Sequence, residues 1–179
     1  AQGYGLGLHA GFYPFTTSGD CTAIDFLAMA QVNPWEFVPA AVDIWVVFRP
    51  YPIRVAGNSG PLAGETTWEA LGLEPEYTTV TKKMRRVGAW DGALAAAAIA
   101  ANGGRSAVRH ARNPVKVALT MLDQIDESLK GVTDSDVVWF SQPYQAFASR
   151  MLADCGRRPL LVTTSDRTAV DLAGWEALG

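Results

Sequence analysis

The densest chemistry in this sequence lies between Glu76 and Asp91, where Thr78, Thr79 and Thr81 stand beside Lys82, Lys83, Arg85 and Arg86, with Gly88 close behind. Hydroxyls and backbone amides suit the oxygens of a carboxylate or a phosphate, and a guanidinium adds a planar fork of donors for the same groups. The segment reads as an anion-gripping loop. A run of four cations is ordinarily a solvated face, so this reading depends on what else the chain carries.

Two further polar stations follow apolar runs. Asp123 ends the run Lys116-Val-Ala-Leu-Thr-Met-Leu122, and Thr163, Thr164 and Ser165 end the run that starts at Pro159. Open α/β sheets place ligand contacts at such carboxyl ends of strands. Other candidates are weaker. Ser59, in Gly57-Asn-Ser-Gly60, lacks the G-x-S-x-G frame of a hydrolase nucleophile. Asp123 and Asp126 have no His or Cys beside them to complete a metal site. His9 and His110 read as loop or surface histidines, and Cys21 and Cys155 as buried or incidental thiols of a reducing, cytoplasmic setting.

Positioning these stations requires strands and helices in alternation. Val42 to Phe48 is β-branched and aromatic over strand length, and Lys116 to Leu122 and Pro159 to Thr163 are two more buried strands. Thr17-Ser18-Gly19-Asp20 offers an N-cap for a helix over 23–30, with Ile24, Leu27 and Ala28 on one face. Asp91 can cap an alanine-rich helix that stops near Asn102-Gly103-Gly104. Tyr144, Phe147, Ala148, Met151 and Leu152 keep the spacing of one helical face. Residues 53–61 form an irregular loop with one cation, Arg54, and 68–71 a short helical piece; Trp35, Trp45, Trp68 and Trp90 belong to the core. The expected fold is α/β, a mainly parallel sheet flanked by helices.

Composition bounds the function. The chain has 179 residues, 49% of them hydrophobic, a mean hydropathy of +0.06 and a formal charge of −3. That suits one compact α/β unit with a sizeable core and gives no general reason to expect nucleic acid or a membrane surface as partner. Ala93 to Ala101 is too short to span a bilayer. The sequence opens inside a glycine-rich run, Ala1-Gln2-Gly3-Tyr4-Gly5, so we expect the C-terminal part of a longer protein; a trimmed native start is the alternative.

At these residues the chain resembles the adenylosuccinate synthetase family. Gln2-Gly3 is similar to the end of the family's Glu-Gly-x-Gln-Gly motif, and Tyr13-Pro-Phe-Thr-Thr-Ser18 to Tyr-Pro-x-x-Thr-Ser. Arg54-Val55 stands in the place of a ribose-contacting Arg-Val segment. Thr81 to Gly88 resembles the aspartate loop Thr-Gly-Arg-x-Arg-Arg-x-Gly, Leu119 to Asp123 resembles Leu-Thr-Lys-Leu-Asp, and Thr163 to Arg167 a shortened Ser-Thr-Gly-Pro-Asp-Arg. The motifs keep the family's order.

The resemblance implies a homodimeric purine-nucleotide ligase that joins L-aspartate to the 6-position of IMP with GTP and Mg²⁺. Gln2, Thr17, Val55 and Lys83 would hold the monophosphate. Thr79, Val80, Thr81, Lys82, Lys83, Met84 and Arg85 would close over aspartate. Arg85, Met121, Leu122, Asp123, Thr163, Thr164 and Ser165 would hold the triphosphate. Two departures matter: Lys83 stands where the family has arginine, and Met121 where it has a lysine that recognises guanine. Loss of that cation points toward ATP. The loop also resembles phage-associated relatives that act on dGMP, so 2-aminoadenylosuccinate synthesis is the alternative activity. The family's phosphate loop, catalytic acid and base, and Mg²⁺ ligands are not among these residues, which implies an inactive fragment; a non-catalytic nucleotide-binding module is the alternative of another class.

Overall fold

In the computed structural model, residues 3–16, 19–33, 43–104 and 115–176 are described. Along the chain run α1 (Ala23–Met29), β1 (Ile44–Phe48), β2 (Ile53–Arg54), β3 (Glu65–Thr66), β4 (Arg86–Gly88), α2 (Gly92–Ile99) and β5 (Val115–Leu119). Then follow α3 (Ser135–Phe140), α4 (Gln142–Cys155), β6 (Leu161–Thr163), β7 (Ala169–Asp171) and α5 (Ala173–Glu176). They fall into two units, Ala1–Phe26 with Tyr51–Asp91, and Leu27–Pro50 with Gly92–Gly179.

The second unit carries the expected α/β sheet, in the order β1-β5-β6-β7. β1, β5 and β6 are parallel, with Ile44 opposite Val115, Phe48 opposite Leu119 and Leu119 opposite Val162; β7 closes the edge antiparallel. Near-continuous apolar sequence is what a strand covered on both faces requires, and Val117, Leu119 and Val162 are fully buried. α4 places Tyr144, Ala148 and Met151 on this core, each at 0% exposure. Truncating one such residue, Leu119→Ala for instance, costs about 2–5 kcal/mol. α4 is capped by the Ser141 hydroxyl at the Tyr144 N–H and ends on Gly156 at φ 71°. The Tyr144 hydroxyl is buried without a hydrogen-bond partner, and burial pushes it up to about 12.

α2 fulfils the alanine-rich expectation and stops where Gly103 turns left-handed at φ 91°. At its start, a Cβ on Gly92 would lie 2.4 Å from the Asp154 carboxylate, so α2 and α4 approach too closely there for any side chain.

The first unit holds a sheet that the sequence reading missed, β2-β4-β3, antiparallel throughout. Its strands have two or three residues each, too few to show an alternation. Val87, Trp68 and Trp90 are buried in this unit.

Several expectations fail for identifiable reasons. Trp45 is exposed because it stands on the outer face of β1 with Val47. α1 buries no residue, and Ile24 is 62% exposed. Its N-terminus is closed by Thr22 and Asp25, whose hydroxyl and carboxylate bond reciprocally to each other's segment; Asp20 is engaged elsewhere. Leu152 lies outside the buried stripe of α4. Residues 68–71 form turns, not a helix. Trp35 and His110 lie outside the described residues. Cys21 and Cys155 form no disulfide and are only half-buried.

Candidate functional site

The anion-gripping segment is a hairpin. Tyr77 and Met84 pair antiparallel, the Arg85 N–H donates to Glu76 O at 2.8 Å, and the Thr78 N–H donates to Lys83 O at 2.9 Å. The Thr78 hydroxyl holds the tip together by accepting from the Lys83 N–H at 3.0 Å and pairing with the Thr81 hydroxyl at 2.6 Å. Lys82 completes the turn at φ 52°. It occupies the glycine position of the resembled loop motif, and the left-handed backbone explains why glycine suits that position.

The four cations divide. Lys82 and Lys83 are exposed, with Thr79, Val80, Thr81 and Met84. Arg85 is half-buried: its carbonyl accepts from the Trp68 indole at 2.8 Å, Glu76 Oε2 lies 3.8 Å from Nη1, and its Nε is a buried donor without a partner. Arg86 is committed to the fold. Its Nε and Nη2 take both oxygens of Glu65 at 2.6 Å, and Nη1 reaches Gly60 O at 2.9 Å and the Ser59 hydroxyl at 3.0 Å. These bonds hold the Glu65 carboxyl below its usual range and raise Arg86. Of the four cations, Arg86 is thus taken up by the fold.

In the same unit, Arg54 is buried and spends its guanidinium on backbone carbonyls. It donates to Gly5 O at 3.1 Å, Phe15 O at 3.3 Å and Ser59 O. One side chain thus fastens the glycine-rich opening, the Tyr13-Pro14 loop and the 57–60 loop. Gly60 makes room for it: at φ 98°, a Cβ there would sit 2.7 Å from Phe15 and 3.1 Å from the Arg54 guanidinium. Val55 follows half-exposed. A second tie joins His9 and Asp20: the imidazole Nδ1 pairs with one carboxylate oxygen, and the His9 N–H reaches the other at 3.0 Å. Gln2 and Thr17 lie outside the described residues.

The second unit brings its two polar strand ends together. The Met121 N–H donates to the Thr163 hydroxyl at 3.0 Å, which links the loop after β5 to the end of β6. Met121 is left-handed at φ 62° and opens a 3₁₀ turn, Leu122–Gln124. Leu122 and Thr164 are fully buried. Thr164 donates its hydroxyl to Val132 O at 2.8 Å and its N–H to Thr168 O at 3.1 Å, while its carbonyl accepts from Gly131. Both side chains are thereby anchors, and Met121, Asp123, Thr163 and Ser165 remain half-exposed at the edge. The Ser165 hydroxyl bonds Thr168 at 2.9 Å. Gln124 adds a buried carbonyl oxygen without a partner among the described residues, at a position that no motif marks. Asp126 is held by the Ser128 and Ser141 hydroxyls, which lower its carboxyl.

Among the described residues no group of three or more His, Cys, Asp and Glu could hold a metal ion. None of the described helices is long and apolar enough to cross a membrane.

Parallel strands with polar loops at their carboxyl ends define the second unit as an open α/β sheet, the architecture in which ligand contacts gather at strand ends. The family profile described as adenylosuccinate synthetase matches residues 1–127, and the chain belongs to that family. The motif at Thr163 lies beyond this match. N6-succino-2-amino-2′-deoxyadenylate synthase of Vibrio phage phiVC8 is 48% identical over 90 residues, 49% of this chain and 25% of that protein. Adenylosuccinate synthetase of Archaeoglobus fulgidus is 36% identical over 137 residues, 75% of this chain and 36% of that protein. The succinoaminodeoxyadenylate synthetase of cyanophage S-2L, solved with dGMP and with dATP as energy donor, superposes at a TM-score of 0.70 with 28% identity. That likeness covers 99% of this chain and 47% of the phage chain. The chain thus spans between a quarter and about half of the length of these relatives.

Proposed function

We propose that these residues form the substrate-gripping part of a ligase that joins L-aspartate to the 6-position of a purine nucleoside monophosphate, IMP or dGMP. In that reaction the purine 6-oxygen is phosphorylated by GTP or ATP, and the aspartate amine then displaces phosphate. Such chemistry depends on positioning and charge neutralisation. The hairpin at 76–85 carries the reading. Lys82 and Lys83 are exposed and Arg85 is half-buried with an unsatisfied Nε, and among the described residues the ion pair of these three cations is Arg85 with Glu76, an arrangement suited to an incoming dianion.

In this reading Thr79 to Arg85 grip aspartate, with Lys83 shared by the monophosphate beside Gln2, Thr17 and Val55. Arg85, Met121, Leu122, Asp123, Thr163, Thr164 and Ser165 serve the triphosphate, Leu122 and Thr164 through backbone and packing. The whole enzyme is a homodimer, and these residues belong to the C-terminal part of its catalytic domain. Mg²⁺ would supply charge neutralisation in phosphoryl transfer, and its ligands are expected in the N-terminal half of the full-length enzyme. The test is turnover by the full-length protein, with aspartate, triphosphate, Mg²⁺ and either acceptor. We expect C–N bond formation from the whole protein and none from the 179 residues alone; a full-length protein that binds the nucleotides without turnover would leave only a binding module.

A further inference from the structure

Glu76 and Arg85 stand opposite each other one step below the Tyr77–Met84 bridge, and the Arg85 N–H donates to Glu76 O at 2.8 Å. Such a register keeps the two side chains within reach of one another. Their ion pair is nevertheless loose: Glu76 Oε2 lies 3.8 Å from Arg85 Nη1, close enough for charge attraction and too far for a hydrogen bond. Arg85 Nε is buried without a partner. The next residue shows a committed pair in the same unit, with Arg86 giving Nε and Nη2 to both oxygens of Glu65 at 2.6 Å.

A guanidinium and a carboxylate that bond to each other sit at about 2.7–2.9 Å. The wider spacing leaves Arg85 with its charge met, while Nε and Nη1 have no hydrogen bond among the described residues. A buried N–H without a partner carries a cost that a better acceptor removes. The main chain beneath is fixed, because the Arg85 carbonyl accepts at 2.8 Å from the indole of Trp68, itself only 3% exposed. The guanidinium can therefore change acceptors without moving its Cα. With 29% of the Arg85 side chain and 24% of the Glu76 side chain exposed, an anion arriving from solvent can reach both.

We propose that Glu76 is a displaceable counter-ion of Arg85, a positioning residue that holds the guanidinium in waiting and competes for it with the incoming oxyanion. This rests on the reading above, in which Arg85 grips a substrate anion. A carboxylate or phosphoryl group that takes two donors of the fork replaces a contact of charge alone with hydrogen bonds. Glu76 must give way first. Its carboxylate thus sets the affinity of the hairpin for anions below what three cations would give, and it takes the guanidinium back when the anion leaves.

The test uses the full-length protein with Glu76→Gln, which keeps the side-chain size and the main-chain bond to Arg85 while removing the competing charge. Binding of inorganic sulfate is measured by calorimetry, and steady-state kinetics separate KM for aspartate from kcat. We expect sulfate to bind about three- to fivefold more tightly, the worth of one partly exposed ion pair. KM for aspartate should fall by a similar factor, and by more than any change in kcat. Glu76→Asp, whose shorter carboxylate stays charged, should lie between. In an Arg85→Ala background Glu76→Gln should leave sulfate binding nearly where it is, because the effect passes through the guanidinium. Sulfate binding that weakens or stays the same, a KM that rises, the same gain in the absence of Arg85, or failure of both Glu76 variants to fold would overturn the proposal, since each would show a carboxylate that supports the hairpin instead of competing for its cation. Tighter sulfate binding in a protein that turns nothing over would support the proposal while sinking the ligase reading, and absence of both sulfate binding and turnover would sink both.

Discussion

The hairpin at 76–85 and the paired strand ends at 120–124 and 163–168 are both rich in hydroxyls, yet they are built on opposite plans. The hairpin closes on itself: Thr78 bonds Thr81 and Lys83, and six of its residues, Thr79 to Met84, are exposed. The strand ends rest on buried Leu122, Val162 and Thr164 and are cross-linked through Met121 and Thr163. Local openings draw on segments with few buried contacts. The difference teaches that the first region can rearrange around a ligand at little cost to the fold, whereas the second presents a pre-formed edge.

The largest expected effect tests the hairpin's chemistry. In the full-length enzyme Arg85→Ala should lower kcat/KM for aspartate by about 10²–10³-fold, the scale of losing one group aimed at a reacting or bound charge, with little change in melting temperature. Lys130→Ala, an exposed cation elsewhere, is the control. Equal and negligible effects in steady-state kinetics would return the cation run to a solvated face.

The strand ends should respond in the opposite currency, specificity and stability together. Thr163→Val removes the acceptor of the Met121 N–H and should destabilise by about 1 kcal/mol in thermal unfolding, raising KM for the triphosphate but not for aspartate. Met121→Lys should shift the ATP-to-GTP ratio toward GTP by about 5- to 100-fold, the worth of one buried polar pairing. A strong GTP preference in the unmodified enzyme, measured by competition, would show that base recognition lies elsewhere.

A smaller effect sharpens the reading of the hairpin tip. Lys82 holds φ 52°, a conformation that costs an L-residue about 1 kcal/mol. Lys82→Gly should be neutral to stabilising by up to about that amount, and Lys82→Val destabilising, because branching at Cβ worsens the left-handed turn. The reverse order in a melting series would mean that the tip has another conformation in solution.

The smallest concerns the His9 and Asp20 tie, which depends on charge at an exposed site. Its hydrogen bond and the charge of Asp20, with a minor contribution from Asp25, raise His9 above its ordinary 6.5, and the same bond lowers Asp20 below 3.8. The tie is therefore present at neutral and mildly acid pH. It is lost as pH rises through the raised histidine value, and at the other end as pH falls through the lowered carboxyl value. An NMR titration should place His9 above 6.5, and Asp20→Asn should bring it back.

Long apolar runs were legible. β1, β5, β6, α2 and α4 follow from β-branching, alanine content and the spacing of Tyr144, Ala148 and Met151, and the family was legible from motifs whose types and order survive in a single sequence. What escaped was set by tertiary partners. Arg86 reads like Arg85 until Glu65, twenty-one residues earlier, takes its guanidinium. Asp20 reads as a helix cap until His9 claims it. β3 and β7 are too short to display a period.

Arg54 has a consequence for how order is gained and lost. A single buried guanidinium is the shared partner of carbonyls at Gly5, Phe15 and Ser59, so the departure of any one of those segments leaves a buried charge with fewer contacts to offset its lost hydration. They are expected to open as one cooperative unit although up to fifty-four residues separate them in sequence. Amide exchange around residues 5–15 and 57–60 should then follow a common opening, with a shared sensitivity to denaturant, instead of the graded fraying usual for loops.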